Sequence, residues 1–197
     1  HAQAQLGETV RRVSADLNST LELPDVLSRL LGHVARFVAY DRGGVFLVEG
    51  PRARPVASRG FGADELPAEP VPLASYRFIE KIVRGGETLL SSKDAGLRDA
   101  HYLGLAAVRS WVAVPLRSRE EVMGFLAIDR FSGDPLNERD ADMVATFTGA
   151  AAVAARNARL FGETQRLATI DGLTGLFNRN HFFQLAEQEL RRGRRHK

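Results

Sequence analysis

The chain has 197 residues, of which 44% are hydrophobic and 26% charged, and it contains no cysteine. This composition is typical of a globular domain, and the lack of cysteine excludes disulfides, thiolate metal sites and a cysteine nucleophile. The net charge is +3, but five basic residues lie among the last seven positions, and without them the chain has 22 basic and 24 acidic residues. Because the basic excess is a C-terminal tail (Arg191, Arg192, Arg194, Arg195 and Lys197) rather than a basic face, we expect no nucleic-acid partner.

Hydrophobic segments are short. No run approaches the ~18 apolar residues that a membrane helix needs, and the polar, amphipathic stretch Gln3–Val13 does not resemble a secretory signal. We therefore expect a cytoplasmic protein with no membrane contact in this part of the chain. The sequence starts without Met and stops within a basic helical run, so we also expect it to be a fragment of a longer protein.

Hydrophobic periodicity in the first half predicts two helices, a β-hairpin, a loop, a short helix and a short strand. In chain order these cover Gln3–Asn18, Pro24–Val38, Val45–Glu49 with Ala53–Ser58, Ala63–Pro72, Ser75–Val83 and Thr88–Ser91. The weakly patterned segment Lys93–Val108 predicts loop and broken helix.

The second half contains the clearest strands, Trp111–Leu116 and Val122–Ile128, and both are apolar on both sides. A sheet with one wet face would alternate apolar and polar residues, so we expect this sheet to be covered on both faces. A long helix is predicted from about Glu138 to about Ala168. The order of elements indicates an α+β fold with an antiparallel sheet.

Several of these segments, in this order and spacing, resemble a GAF domain. They are Gly43–Val48 after two helices, Ser110–Leu116, Val122–Asp129, Glu138–Asp140, and the helix that contains Ala150–Ala155 and Asn157–Leu160. The resemblance covers about residues 1–165. It implies a GAF-like antiparallel sheet with helices on both faces, a long C-terminal signalling helix, and a sensory domain over residues 1–169 that includes the N-terminal and linker helices.

A second resemblance begins at Asp171. Residues 171–179 are similar to D-x-L-T-G-L-x-N-R, the opening motif of GGDEF (diguanylate cyclase) domains, although Asn180 replaces the usual second arginine. The matching residues are Asp171, Leu173, Thr174, Gly175, Leu176, Asn178 and Arg179. The resemblance implies that residues 170–197 are the truncated start of such a domain. Mg²⁺ and GTP would then bind only in the missing catalytic domain, so we expect this fragment to be no enzyme and its parent to make cyclic di-GMP.

Candidate ligand-pocket residues are the aromatic side chains of Phe61, Phe78 and Trp111, the guanidinium of Arg77, and His101 beside Tyr102. Ordinary core packing also explains the aromatic residues, and a solvated side chain also explains Arg77. The resemblance implies that a small-molecule ligand is possible, but without cysteine a covalently attached bilin is excluded. The histidines have no mutual ligand spacing, so we expect no metal site.

The long helix carries a heptad pattern. Ala150, Asn157 and Thr164 fall at position a, and Val153, Leu160 and Leu167 fall at position d. A buried Asn at position a favours a parallel, in-register dimer. We expect the stripe up to Ala155 to pack on its own sheet and the part beyond Asn157 to pair with a partner helix.

Two functions remain open. The first is a sensory GAF domain that relays ligand state through a homodimeric terminal helix to a GGDEF output domain. The second is a ligand-free GAF dimerisation scaffold for the same output domain. We also expect residues 180–192 to form a helix that docks its apolar side on a neighbouring chain or on the GAF domain. That side contains Phe182, Phe183, Leu185 and Leu190.

Overall fold

A computed structural model describes residues 2–17, 22–62, 66, 69–75, 77–91, 108–118, 121–169, 171, 174, 176–179 and 181–183. Its elements in chain order are α1 (Ala2–Leu17), α2 (Leu23–Val34), β1 (Arg42–Glu49), β2 (Arg52–Arg59), β3 (Val71–Pro72), α3 (Arg77–Glu80), β4 (Leu89–Leu90), β5 (Ser110–Ser118), β6 (Glu121–Arg130) and α4 (Glu138–Thr169). A 3₁₀ turn, Leu73–Ser75, precedes α3, and a π-helical turn, Lys81–Gly85, follows it.

The six strands form one sheet in the order β3-β2-β1-β6-β5-β4, and each pair of neighbours is antiparallel. The hairpin between β1 and β2 turns at Gly50, whose φ of 60° lies in the left-handed region that glycine adopts without strain. At Gly124 on β6, an added Cβ would collide with the backbone oxygen of Phe46 on β1. The close pairing of the two central strands therefore depends on glycine at this position.

Both faces of the sheet are covered, as the apolar strands predicted. On the first face, Val45, Val112 and Leu126 belong to a core that also contains residues of α1, α2 and α4. On the second face, strand residues including Phe46, Trp111 and Phe125 pack with Phe78, Ile79 and Ile82 from α3 and the π-helical turn. The alternation of side chains along each strand divides the two cores. The expected α+β fold, an antiparallel sheet with helices on both faces, is confirmed.

Some local predictions are wrong. The segment predicted as a loop over 63–72 contains the edge strand β3. Proline has no backbone N–H to donate to a neighbouring strand, and an edge strand tolerates Pro72 because it has a neighbour on one side only. The helix predicted over 75–83 is a succession of 3₁₀, α and π turns rather than one regular helix. The segment predicted as broken helix and loop lies, except for Val108, outside the described residues.

The long helix α4 begins where its sequence indicated. The Asn137 side chain accepts hydrogen bonds from the backbone N–H groups of Arg139 (2.9 Å) and Asp140 (3.2 Å), and the Asp140 carboxylate accepts one from the Asn137 N–H (3.0 Å). This reciprocal cap satisfies N–H groups that have no partner within the helix. The helix then crosses the first face of the sheet on a buried stripe of small residues, namely Ala151, Ala152, Ala154, Ala155 and Ala158.

Candidate functional site

A buried ion pair lies on the second face of the sheet. Strand register places Asp129 of β6 opposite Arg42 of β1 on one side and opposite Trp111 of β5 on the other. Their exposed fractions are 1%, 4% and 3%, respectively. The Nε atom of Arg42 lies 3.8 Å from Oδ2 of Asp129. Two opposite charges have therefore been taken out of water together, which is costly unless further groups satisfy them.

The Asp129 carboxylate is incompletely satisfied. Within the part of the chain that the structure describes, neither of its oxygens has a hydrogen-bond partner. Burial raises the pKa of Asp129 to about 7, and the positive charge of Arg42 opposes that rise. A buried acceptor without donors costs free energy. The position is therefore suited to a ligand group that donates hydrogen bonds.

The Arg42 guanidinium lies against two aromatic rings. Its central carbon lies 4.2 Å from the centroid of the Phe131 ring and 5.2 Å from that of the Phe61 ring. Phe61 is partly buried, whereas Phe131 remains 37% exposed. Cation–π contacts of this kind stabilise a guanidinium and fix its plane when water is excluded. The rings thus orient the cation beside Asp129.

Aromatic side chains form the rest of this surface. The Phe78 and Trp111 rings contact at 5.2 Å between centroids, and Phe46 stacks on Phe125 at 4.9 Å. Ser91 holds the backbone of Trp111 on both sides, because its Oγ accepts from the Trp111 N–H (2.8 Å) and its own N–H donates to the Trp111 carbonyl (3.0 Å). The part of the second face next to Asp129 is therefore rigid and apolar.

The structure brings some of the predicted pocket residues together and does not describe the side chains of the others. The structure places Phe61, Phe78 and Trp111 on this one face. Arg77 begins α3, but its side chain lies outside the described part, as do His101 and Tyr102. Sequence reasoning missed three residues of the site, Arg42, Asp129 and Phe131. A usable signal existed for Asp129, since it shares the odd-numbered parity of Phe125 and Ala127 on β6.

The heptad residues of α4 lie mainly in solvent. Val153 is 55% exposed, Leu160 49% and Leu167 73%, and Asn157 and Thr164 are also exposed, while Ala150 is partly buried. The expectation that this stripe packs on the sheet as far as Ala155 is wrong for Val153, because the alanine stripe makes that contact instead. The helix therefore has one side bound to the domain and another that is open and apolar.

A hydrogen-bonded turn follows α4. Oδ1 of Asp171 accepts from the backbone N–H (2.9 Å) and the hydroxyl (2.8 Å) of Thr174. Asn178 donates through Nδ2 to the Ala168 carbonyl (2.7 Å) and accepts through Oδ1 from the His181 N–H (3.0 Å). One side chain thus caps the end of α4 and the beginning of the next helical turn.

The other residues of this segment are exposed to solvent or lie outside the described residues. Leu176 is 70% exposed, and the Arg179 guanidinium lies 6.0 Å from the Phe183 ring. Leu173 and Gly175 lie outside the described residues, as do 184–192. Phe182 and Phe183 contact each other but are 58% and 56% exposed. Neither of these two rings is buried against the described part of the chain.

The described residues contain neither a cluster of metal-ligating side chains nor a membrane-spanning helix. No group of three or more His, Asp or Glu side chains is arranged to hold a metal ion. Among these residues there is also no helix with the length and apolar character to cross a membrane.

A family model described as "GAF domain" matches residues 22–155, which is more than half of the chain. The chain belongs to the GAF domain family. Its GAF domain places the Arg42–Asp129 pair on the second face of the sheet and α4 on the first. GAF domains are regulatory and sensory domains of signalling proteins.

Solved structures share this fold at low sequence identity. The GAF domain of a phosphoenolpyruvate-protein phosphotransferase from Acinetobacter is 23% identical, with a TM-score of 0.66 over 80% of this chain and 95% of that one. The GAF domain of a sensor histidine kinase from Bacillus halodurans is 18% identical, with a TM-score of 0.61 over 73% and 99%. A free methionine-R-sulfoxide reductase from Neisseria meningitidis, solved with its substrate, is 16% identical, with a TM-score of 0.64 over 82% and 94%. No curated protein matches the sequence.

Proposed function

We propose that this chain is the sensory domain of a diguanylate cyclase, and that it binds a small molecule at Asp129 on the second face of the sheet. The observation that carries the proposal is a fully buried carboxylate whose two oxygens lack hydrogen-bond donors among the described residues. A ligand amine, amide or guanidine would supply those donors. The neighbouring Trp111 and Phe78 rings favour a ligand with a flat apolar part.

The GAF relatives support a binding role for this fold. The Neisseria reductase, which shares this fold, was solved in complex with its substrate. This chain has no cysteine and therefore no thiolate for redox chemistry. Recognition of a ligand, rather than its conversion, is the activity that the site supports.

A GGDEF domain is the proposed output. Residues 171–179 resemble the opening motif of that domain, and the described ones form a turn held by their own side chains. Asn178 links the Ala168 carbonyl of α4 to the His181 N–H of the next helical turn. A connection with these hydrogen bonds transmits a rotation or shift of α4 better than a flexible linker would. Ligand binding would then change the population of two α4 arrangements.

A second copy of the chain is the proposed partner of α4. Val153, Leu160 and Leu167 form an exposed apolar stripe with Asn157 between them. The spacing is a heptad repeat, and an Asn at position a pairs best with the same Asn in a parallel copy. Two cyclase domains that must meet face to face would be brought together by such a dimer.

A ligand-free scaffold is the second candidate. It is favoured by the large side chains that fill the second face, since Phe46, Phe78 and Phe125 are each at most 2% exposed. If the site around Asp129 holds only water, the domain would dimerise the output without sensing a molecule.

Native mass spectrometry of the purified chain separates these functions. The sensory function predicts a dimer with a retained small molecule, which Asp129→Asn loses and the exposed control Asp134→Asn keeps. Titration of ligand-depleted protein with small amines and amides, followed by the fluorescence of the only tryptophan, Trp111, is the companion measurement. A dimer that retains nothing and shows no saturable fluorescence change would leave only the scaffold.

The output is tested separately. Residues 1–179 would be joined to an active GGDEF domain in place of that domain's own opening motif, and cyclic di-GMP formation from GTP would be measured. We expect Leu160→Asp to lower the rate at least tenfold, whereas the control Ala74→Asp, at an exposed position in the 3₁₀ turn before α3, should change it little. Equal rates for all three proteins would contradict the proposed coupling.

A further inference from the structure

A cavity of about 400 Å³ lies between α1 and the end of α2, away from the second face of the sheet. Thr9, Arg12, Val13 and Asp16 line it from α1, and their spacing places them on one side of that helix. His33 in the last turn of α2, followed by Arg36 and Phe37, lines the other side. We call this cavity the α1–α2 groove.

The carboxylate of Asp16, which lines the groove, already has partners. Oδ2 of Asp16 is 2.8 Å from Nε2 of His33, and Oδ1 is 3.1 Å from Nη1 of Arg29. The His33 hydrogen bond, followed by the charge of Arg29, holds the pKa of Asp16 below its usual value. Asp16 therefore does not neutralise the remaining cations of the groove.

Two of those cations have no anionic partner within the described part of the chain. Among these residues, neither Arg12 nor Arg36 forms an ion pair or a side-chain hydrogen bond, and both are exposed. His33 also has a buried Nδ1 without a hydrogen-bond partner there. Guanidinium groups bind oxyanions in a bidentate manner, and two of them match the charge of a phosphate monoester better than that of a carboxylate.

The groove also has an apolar wall. Val13 is 4% exposed and Phe37 is 45% exposed, and the Phe37 ring is supported by Phe147 at 5.0 Å between centroids. An exposed, supported ring beside two arginines offers a stacking surface next to a phosphate site. The chemistry of the groove therefore combines recognition of an anion with contact to a flat group.

We propose that the α1–α2 groove binds an organic phosphate, with the phosphate between Arg12 and Arg36 and a ring of the ligand on Phe37. Such a ligand bridges α1 to α2 and strengthens the attachment of the N-terminal helix. The site is independent of the one at Asp129, so failure of either proposal leaves the other intact.

The test uses the whole chain and phenyl phosphate as the probe, with binding measured by calorimetry and by the NMR signals of the His33 ring. We expect saturable binding that the double variant Arg12→Ala/Arg36→Ala weakens at least tenfold. Arg52→Ala/Arg109→Ala removes two exposed arginines elsewhere and serves as the charge-matched control. Its affinity should equal that of the parent chain, and circular dichroism should show that both variants are folded.

Two further probes and one variant decide the ligand class. Inorganic phosphate should bind at least threefold more weakly than phenyl phosphate, and Phe37→Leu should remove that difference. Benzoate should bind at least tenfold more weakly. Absence of phenyl phosphate binding, equal losses in the two double variants, or benzoate binding as tight as that of phenyl phosphate would overturn the proposal.

Discussion

Replacement of Asp129 by asparagine should change how the stability of the domain depends on pH. Burial raises the pKa of Asp129 from 3.8 to about 7, so the folded state holds a proton that the unfolded state has already lost above about pH 4. Stability then falls as pH rises between these two values and is constant above the higher one. The amide side chain of Asp129→Asn has no proton to lose, so the variant should lack this contribution.

The size of the effect follows from the same linkage. Over the window in which only the folded state is protonated, each pH unit costs about 1.4 kcal/mol. Between pH 5 and pH 8 that window ends near pH 7, the value to which burial raises the pKa of Asp129. The parent chain should therefore lose about 3 kcal/mol more than Asp129→Asn over this range. In both proteins at pH 5, Arg42 faces a neutral partner, so the comparison isolates the ionisation of residue 129.

Urea unfolding at pH 5, 6, 7 and 8, followed by circular dichroism, measures the difference. The free energies of unfolding of the parent and Asp129→Asn should diverge as pH rises, with the variant becoming the more stable. Asp134→Asn, at an exposed position, should follow the parent at every pH. Parallel curves for the parent and Asp129→Asn would refute the raised pKa and, with it, the idea that this carboxylate is left unsatisfied.

Three further outcomes are expected. Gly124→Ala should destabilise the domain by about 2 kcal/mol or more in urea unfolding, because the new methyl meets the Phe46 carbonyl. The control Gly149→Ala, which has open space around it, should be neutral or stabilising. Equal effects of the two substitutions would contradict this reasoning. Leu160→Asp should weaken any dimer at least tenfold in sedimentation without altering the thermal midpoint of the monomer, and an unchanged dimer would exclude this stripe. Asn178→Ala should cost about 1 kcal/mol of local stability, seen as faster amide exchange at His181, and unchanged exchange would contradict the capping role.

The helices α1, α2 and α4 and the central strands followed from local pattern. The start of α4 was predictable because Asn137 and Asp140 cap it through neighbours in the sequence. The sheet with two buried faces was predictable because β5 and β6 are apolar on both sides. The strand β3 was not, because it is a two-residue edge strand whose only support within the described sheet is pairing with β2.

Asp129 marks what the sequence by itself could not decide. Its position after an apolar strand was visible, but whether its carboxylate met solvent or a cation depended on strand register. Only the pairing of β1 with β6 brings Arg42, which is distant in sequence, beside it. The same holds for α4. Its periodicity in the sequence determined a helix with an apolar heptad stripe. Only the fold decided that the alanines face the domain and that Val153 and Leu160 face solvent. Helical and strand periods are local properties of the chain, whereas the partner of each face is chosen by packing between segments that are distant in sequence.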